Sequence, residues 1–261
     1  QARKSSAGYD LTSLFVGSEG TLGLITQLTL RLHPQPEAIS AGIVAFDNMD
    51  SAVSAVIQTI QLGLPMARIE FVDAATAAAF NTYAKADMAE VPHLLFELHG
   101  SEVNVAGSAE MFNDICADQG GQNFEWSSKT EERASLWAMR HKAYYAVLAS
   151  RPGSTAVITD ICVPISKLGQ AIAETRNDIS QSLIQGPIFG HVGDGNFHAI
   201  LLIDPNSDEE KTEAMLLGDK MAARALSLGG TCSGEHGVGM GKLKFMDAQH
   251  GVGWDVMGQI K

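Results

Sequence analysis

The sequence predicts an α+β protein, an antiparallel or mixed sheet with helices packed on one face. Three observations lead there. Apolar residues at helical spacing alternate with short β-branched or bulky runs over residues 38–228. The runs Pro187-Ile188-Phe189 and Ala199-Ile200-Leu201-Leu202-Ile203 flank Asp194-Gly195, a strong short-range signal for a tight turn, so at least one strand pair is a hairpin, which disfavours a doubly wound parallel sheet. The chain has 261 residues, 45% apolar and 18% charged, which is ample material for a core.

The elements follow in order. Residues 10–32 read as turn, strand, glycine-rich turn, strand, and 25–32 alternates cleanly after Thr26, as a half-buried strand does. His33-Pro34-Gln35-Pro36 breaks the chain and marks a boundary. A strand is predicted over 38–46. A helix over 49–61 has Ala52, Val53, Val56, Ile57 and Ile60 at helical spacing. Strand 67–71 leads to a helix capped by Asp73, then strand 93–99, helix 102–119 and strand 122–126. One long helix is predicted over 130–150, a strand over 155–163 ended by Pro164, a helix from Ser166 to about 183, the hairpin, and a helix over 208–228. Residues 251–261 are apolar enough to pack, and no internal repeat is visible.

Within the hairpin stands Gly190-His191-Val192-Gly193-Asp194-Gly195-Asn196-Phe197-His198. Asp194-Gly195 suits a type I′ turn, which needs positive φ at both central residues. Such a turn pairs His191 with His198, with Cβ atoms about 5 Å apart on one face. Two imidazoles then converge, as in a metal site, or are two ordinary polar residues near a turn. The stretch 229–241 holds six glycines in thirteen residues, with Glu235 and His236 as its strongly polar side chains. Glu235 can complete a His-His-Glu set with open coordination positions, and His236 can serve as a base. The other reading is an exposed loop. Arg140, on the predicted long helix, either clamps a carboxylate with its planar fork or belongs to a solvated basic face. Gly17-Ser18-Glu19-Gly20-Thr21-Leu22-Gly23, three glycines in seven residues, admits close approach of a phosphate or a flavin edge, or is a plain inter-strand loop. It is neither a Walker loop nor the dinucleotide fingerprint.

The net charge of −12 argues against nucleic acid as partner and against electrostatic attachment to anionic lipid. Three widely spaced cysteines suggest reduced thiols in an intracellular protein. No apolar run has the length of a membrane span.

The three glycine-rich motifs, 17–23, 190–198 and 234–239, occur in this order in the FAD-linked 2-hydroxyacid dehydrogenases, vanillyl-alcohol-oxidase-like flavoproteins that the chain resembles over essentially its whole length. The resemblance implies a division into residues 1–36, the tail of an FAD-binding domain, and 37–261, a ferredoxin-like C-terminal domain that binds substrate and metal. It implies FAD contacts from Gly17, Ser18, Glu19, Gly20, Gly23 and Ile25. It places His191, His198 and Glu235 on a divalent metal, zinc or manganese. It assigns Arg140, Asn196 and His236 to the substrate, with His236 as the catalytic base while hydride leaves for the flavin. The segments 137–145, 151–153 and 159–164 look most like the cytochrome-linked D-lactate dehydrogenases. No lysine lies within Ala156-Val157-Ile158-Thr159 to hold a second carboxylate, so a small monocarboxylic 2-hydroxyacid is expected, with glycolate or D-2-hydroxyglutarate as alternatives. The implied electron acceptor is a cytochrome, a quinone or a partner flavoprotein. The implied place is the cytoplasm or the inner-membrane periphery in a bacterium, the mitochondrion in a eukaryote. Most of the flavin-binding half would precede Gln1, so the chain by itself is expected to bind FAD weakly or not at all. Outside this family, the same residues suit a metal-dependent hydrolase or an inactive binding module.

Overall fold

Two strand-helix units of the same design lie edge to edge in one antiparallel sheet. The structure, a computed structural model, describes residues 5–261; residues 1–4 of the expected flavin-domain tail lie outside the described residues. After the short helix α1 (Leu11–Phe15) comes β1 (Ala38–Ala45), α2 (Met49–Gln61), β2 (Met66–Val72), α3 (Ala74–Ala84), β3 (His93–Gly100), α4 (Glu102–Asp118) and β4 (Gln122–Ser127). These strands stand in the order β4-β1-β3-β2, every neighbour antiparallel, which is the ferredoxin-like arrangement. Asn48, Asp73 and Ser101 each cap the helix that follows by accepting an N–H of its first turn.

The second half runs α5 (Thr130–His141), α6 (Ala143–Ala149), β5 (Thr155–Ile158), β6 (Ile161–Cys162), α7 (Leu168–Ser180), β7 (Ile188–Gly190), β8 (Asn196–Ile203), α8 (Asp208–Ser227), α9 (Met246–His250) and α10 (Val252–Ile260). β8 pairs with β7 on one side and with β5 and β6 on the other, and Cys162 of β6 bridges to Thr231. The order Thr231-β6-β8-β7 repeats that of the first unit. Pairing of β2 with β7 joins the two. The repeat is structural only, since no sequence repeat announces it.

Side chains alternate across the sheet. On one face Phe96, Phe197, Ala199 and Leu201 pack under α2, α4, α7 and α8, the larger core. On the other, Leu95, Ile200 and Leu202 meet Phe80 of α3, Trp137 of α5 and Val147 of α6. The α+β class, the antiparallel sheet and the expected helical layer are present; the second, smaller layer is an addition. No helix among the described residues is long and apolar enough to cross a membrane.

Several local expectations need correction. Residues 25–32 form no strand, and Leu28, Leu30 and Leu32 are exposed. Alternation there has no neighbouring strand to complete a ladder. The helix expected over 130–150 breaks at Lys142, whose N–H bonds back to the Met139 carbonyl in a 3₁₀ closure. The break lets Trp137 and Arg140 turn toward the sheet while Ala146 and Val147 pack in the same smaller layer. The strand over 155–163 is interrupted at Thr159 and Asp160, and the helix after Pro164 begins as a 3₁₀ turn, Ile165–Lys167. α10 buries none of its residues.

The hairpin has a different register. Only Gly195 of the supposed turn pair has positive φ (79°); Asp194 belongs to a 3₁₀ turn, Val192–Asp194. Gly195 is required there. Its carbonyl accepts from Val163 N–H at 3.0 Å, and a Cβ would sit 2.1 Å from the Val163 oxygen. The turn consumes more residues than a two-residue hairpin, so Phe189, not His191, faces His198.

Candidate active site

His191 leaves β7 just past its last residue, and its carbonyl accepts from Asp194 and Asn196 N–H. His198 sits within β8. Despite the changed register, the two rings converge, with centroids 6.0 Å apart. His198 Nδ1 donates to the Thr159 carbonyl at 3.0 Å, which leaves Nε2, 3.0 Å from Glu235 Oε1, free to ligate an ion that both would share. That carbonyl is available because the strand is interrupted there: Thr159 Oγ1 takes up Ala199 N–H at 2.8 Å in place of a regular ladder bond. Burial lowers the His198 pKa and favours the neutral ring that a metal needs.

His191 Nδ1 is bonded to Glu70 Oε1 at 2.7 Å, and its Nε2 lies 3.6 Å from Glu235 Oε1. The Glu70 bond raises the His191 pKa, with burial working against it. One ligand atom each from His191, His198 and Glu235 falls within 4.8 Å of the others. Two imidazoles oriented by bonds at Nδ1, with a carboxylate as third donor, suit a divalent ion such as zinc or manganese.

Glu235 and His236 hang on one buried carboxylate. Asp160 Oδ2 accepts Glu235 N–H at 3.0 Å, His236 N–H at 2.8 Å and Ser233 Oγ at 3.1 Å, while Oδ1 accepts Asn196 Nδ2 at 2.8 Å. Burial opposes ionisation of Asp160, but these donors and the Lys242 ammonium outweigh it and hold its carboxyl well below the usual range. The His236 ring stacks on His198 with centroids 5.1 Å apart and planes 9° apart.

Arg140, 8% exposed in the last turn of α5, lies over the Phe189 ring at 4.9 Å and bonds Glu70 Oε2 through Nη2 at 2.8 Å. The inward reading holds for it, while His141 and Lys142 are exposed. Trp137 is core and Tyr145 is exposed. A cleft of about 410 Å³, lined in part by Arg68, Glu70, Trp137, Arg140 and His191, opens beside this set. Arg140 Nε and Asn196 Oδ1 are buried with no partner among the described residues, and both fit a polar ligand. The Asn196 amide nitrogen is already committed, to Asp160 and to the Ile161 carbonyl at 2.9 Å.

The residues expected at the flavin are less gathered. Gly17 (φ 82°) and Gly20 (φ 76°) have open space where a Cβ would be, Gly23 packs by Phe15, and Ser18 closes a turn through its carbonyl. Ile25 is exposed. Glu19 points elsewhere: its carboxylate accepts Val238 N–H at 2.6 Å and Gly239 N–H at 2.9 Å, tying this loop to the one that carries Glu235.

Sequence reasoning missed Glu70 and Asp160. Each had a faint signal. Glu70 is a lone acid between Ile69 and Phe71 of an apolar strand, and Asp160 an acid amid a β-branched run. A buried carboxylate needs partners, but those partners lie 121 and 76 residues away, at His191 and His236.

A sequence family described as "FAD linked oxidases, C-terminal domain" matches residues 35–261. The chain is 45% identical over 249 residues to the "Probable D-lactate dehydrogenase, mitochondrial" of Danio rerio, covering 95% of this chain and 50% of that protein. It is 38% identical over 252 residues to the "D-lactate dehydrogenase [cytochrome], mitochondrial" of Arabidopsis thaliana, covering 97% and 44%. The chain thus spans about half the length of the curated relatives it matches. Among solved structures, the 4-ethylphenol oxidase of Gulosibacter chungangensis matches with a TM-score of 0.65 and 14% identity, over 88% of this chain and 51% of that one, a likeness of fold alone.

Proposed function

The chain belongs to the FAD-linked oxidase family, whose C-terminal domain it carries, and we propose that it forms the substrate- and metal-binding part of a flavoenzyme that oxidises D-lactate, or a similar monocarboxylic 2-hydroxyacid, to the 2-oxoacid. The observation that carries this is the convergence of His191 Nε2, His198 Nε2 and Glu235 within reach of one ion, beside a buried arginine with an unpartnered N–H.

The geometry supports the following roles. Arg140 binds the substrate carboxylate and fixes the orientation of the α-carbon. His191, His198 and Glu235 would hold a zinc or manganese ion, whose positive charge would favour loss of the hydroxyl proton. His236, stacked on His198, accepts that proton on its imidazole. Asn196 offers its one free atom, Oδ1, to the substrate. FAD, when bound, supplies the acceptor for the α-hydrogen and its two electrons. Gly17, Ser18, Gly20, Gly23 and Ile25 would contact the flavin, while Glu19 ties this loop to the one that carries Glu235. The short apolar segment Ala156-Val157-Ile158 offers no cation for a second carboxylate, which favours D-lactate over D-2-hydroxyglutarate. The name of the plant relative supports a cytochrome as electron acceptor and, in a eukaryote, a mitochondrial setting.

The test is dye-linked oxidation by the chain joined to a complete flavin-binding half and loaded with FAD, with D-lactate, L-lactate, glycolate and D-2-hydroxyglutarate, with and without chelator. D-lactate should be the best substrate, chelation should abolish turnover, and added zinc or manganese should restore it. Preference for glycolate or hydroxyglutarate would redirect the substrate assignment. Ester hydrolysis without any electron acceptor would instead support a hydrolase.

A further inference from the structure

Glu70 lies in the middle of β2, 6% exposed, between the core residues Ile69 and Phe71. Its backbone is fixed on both sides, by β3 (Glu70 opposite Leu95) and by β7 (Phe71 opposite Gly190). Its two oxygens are divided. Oε1 takes His191 Nδ1 at 2.7 Å, and Oε2 takes Arg140 Nη2 at 2.8 Å. We propose that Glu70 is a positioning residue that sets the metal ligand His191 and the carboxylate clamp Arg140 in one frame, so that ion and substrate are presented in fixed relation.

This rests on the reading of the site given above and adds a residue to it. Both partners of Glu70 are donors, so both oxygens must accept. The bond to His191 fixes the Nδ1–H tautomer and leaves Nε2 to the ion. The bond to Arg140 engages Nη2 alone and leaves Nε without a protein partner in a residue that lines the cleft. A glutamine has one acceptor oxygen and presents N–H to the second donor. An aspartate is one methylene shorter and reaches one partner at most. Neither serves both, although glutamine fills the site as glutamate does and aspartate keeps the charge.

The test uses the full chain of 261 residues. Manganese(II) affinity is measured by calorimetry, and D-lactate affinity on the manganese-loaded chain, for the parent, Glu70→Gln, Glu70→Asp and His198→Ala; melting curves report folding. The expected result is that Glu70→Gln weakens manganese binding about 10–100-fold and weakens D-lactate binding as well. Glu70→Asp, which keeps the charge, should lose at least one of the two affinities. A purely structural role predicts a lower melting midpoint with both affinities of the folded chain unaltered, and that result overturns the proposal. Loss of manganese binding in His198→Ala with parental binding in both Glu70 variants overturns the role of Glu70 alone. A parent chain that binds no manganese overturns both this proposal and the metal assignment.

Discussion

Asp160 shows what a single side chain does here. One buried carboxylate gathers the N–H groups of Glu235 and His236, the Ser233 hydroxyl and the Asn196 amide, so it positions a candidate ligand, a base and a substrate contact together. Asn in its place has one acceptor oxygen and leaves donors unmet. Asp160→Asn should cost about 2–3 kcal/mol and weaken metal binding, as read by urea unfolding and metal titration. The pH dependence has a definite sign. Asp160 has a depressed folded pKa, so its contribution is fully present above the unfolded carboxylate value and is lost as pH falls below it. Urea midpoints of the parent should therefore fall in acid more steeply than those of Asp160→Asn. At this scale His191, His198 and Glu235 stood out as polar side chains in glycine-rich stretches, and Arg140 as a cation on a helix, but the choice of a metal and substrate role over a plain loop or a solvated face came from the family resemblance. Glu70 and Asp160 were not legible, since their meaning comes from donors far along the chain.

The elements were read well where burial decides them. Helices α2, α3, α4 and α8 and strands β1, β2 and β3 fall close to their expected limits, because apolar periodicity reports the face each one buries, and β4 does so although it buries no residue fully. The failures occur where tertiary contacts override local pattern. The long helix breaks after His141, the strand breaks at Thr159 to free a carbonyl for His198, and the hairpin slips to a longer turn. In each case the irregularity serves the candidate site. The turn supplies a sharp test. Gly195→Ala places a Cβ against the Val163 oxygen in a left-handed conformation. It should destabilise the chain by about 2–4 kcal/mol in thermal unfolding and displace His191 from His198, with a loss of metal affinity. A stability unchanged from the parent would contradict the turn geometry.

Across the whole molecule, the sheet is two ferredoxin-like units meeting at β2 and β7, and the candidate ligands cluster at this junction. Glu70 comes from the first unit, and His191, His198 and Glu235 from the second. The repeat was not legible because the units differ in what connects their equivalent strands: α3 and its flanking loops in one, a 3₁₀ turn in the other. The second unit is also held by an ion cluster on α7 and α8, where Asp178 accepts from Lys220 and Arg224. Burial opposes the charge of Asp178, and those two cations outweigh it and depress its pKa. Its contribution is present above the usual carboxylate range and lost as pH falls through it. Asp178→Asn should lower stability near neutrality and narrow its difference from the parent toward pH 3, as measured by urea unfolding. The central claim, that His191, His198 and Glu235 form one metal centre, is tested most directly by the divalent metal bound per chain after purification and dialysis against zinc or manganese. One equivalent is expected in the parent and essentially none in His198→Ala or Glu235→Gln with the fold retained; a parent that holds no metal, or variants that hold as much as it does, would contradict the account.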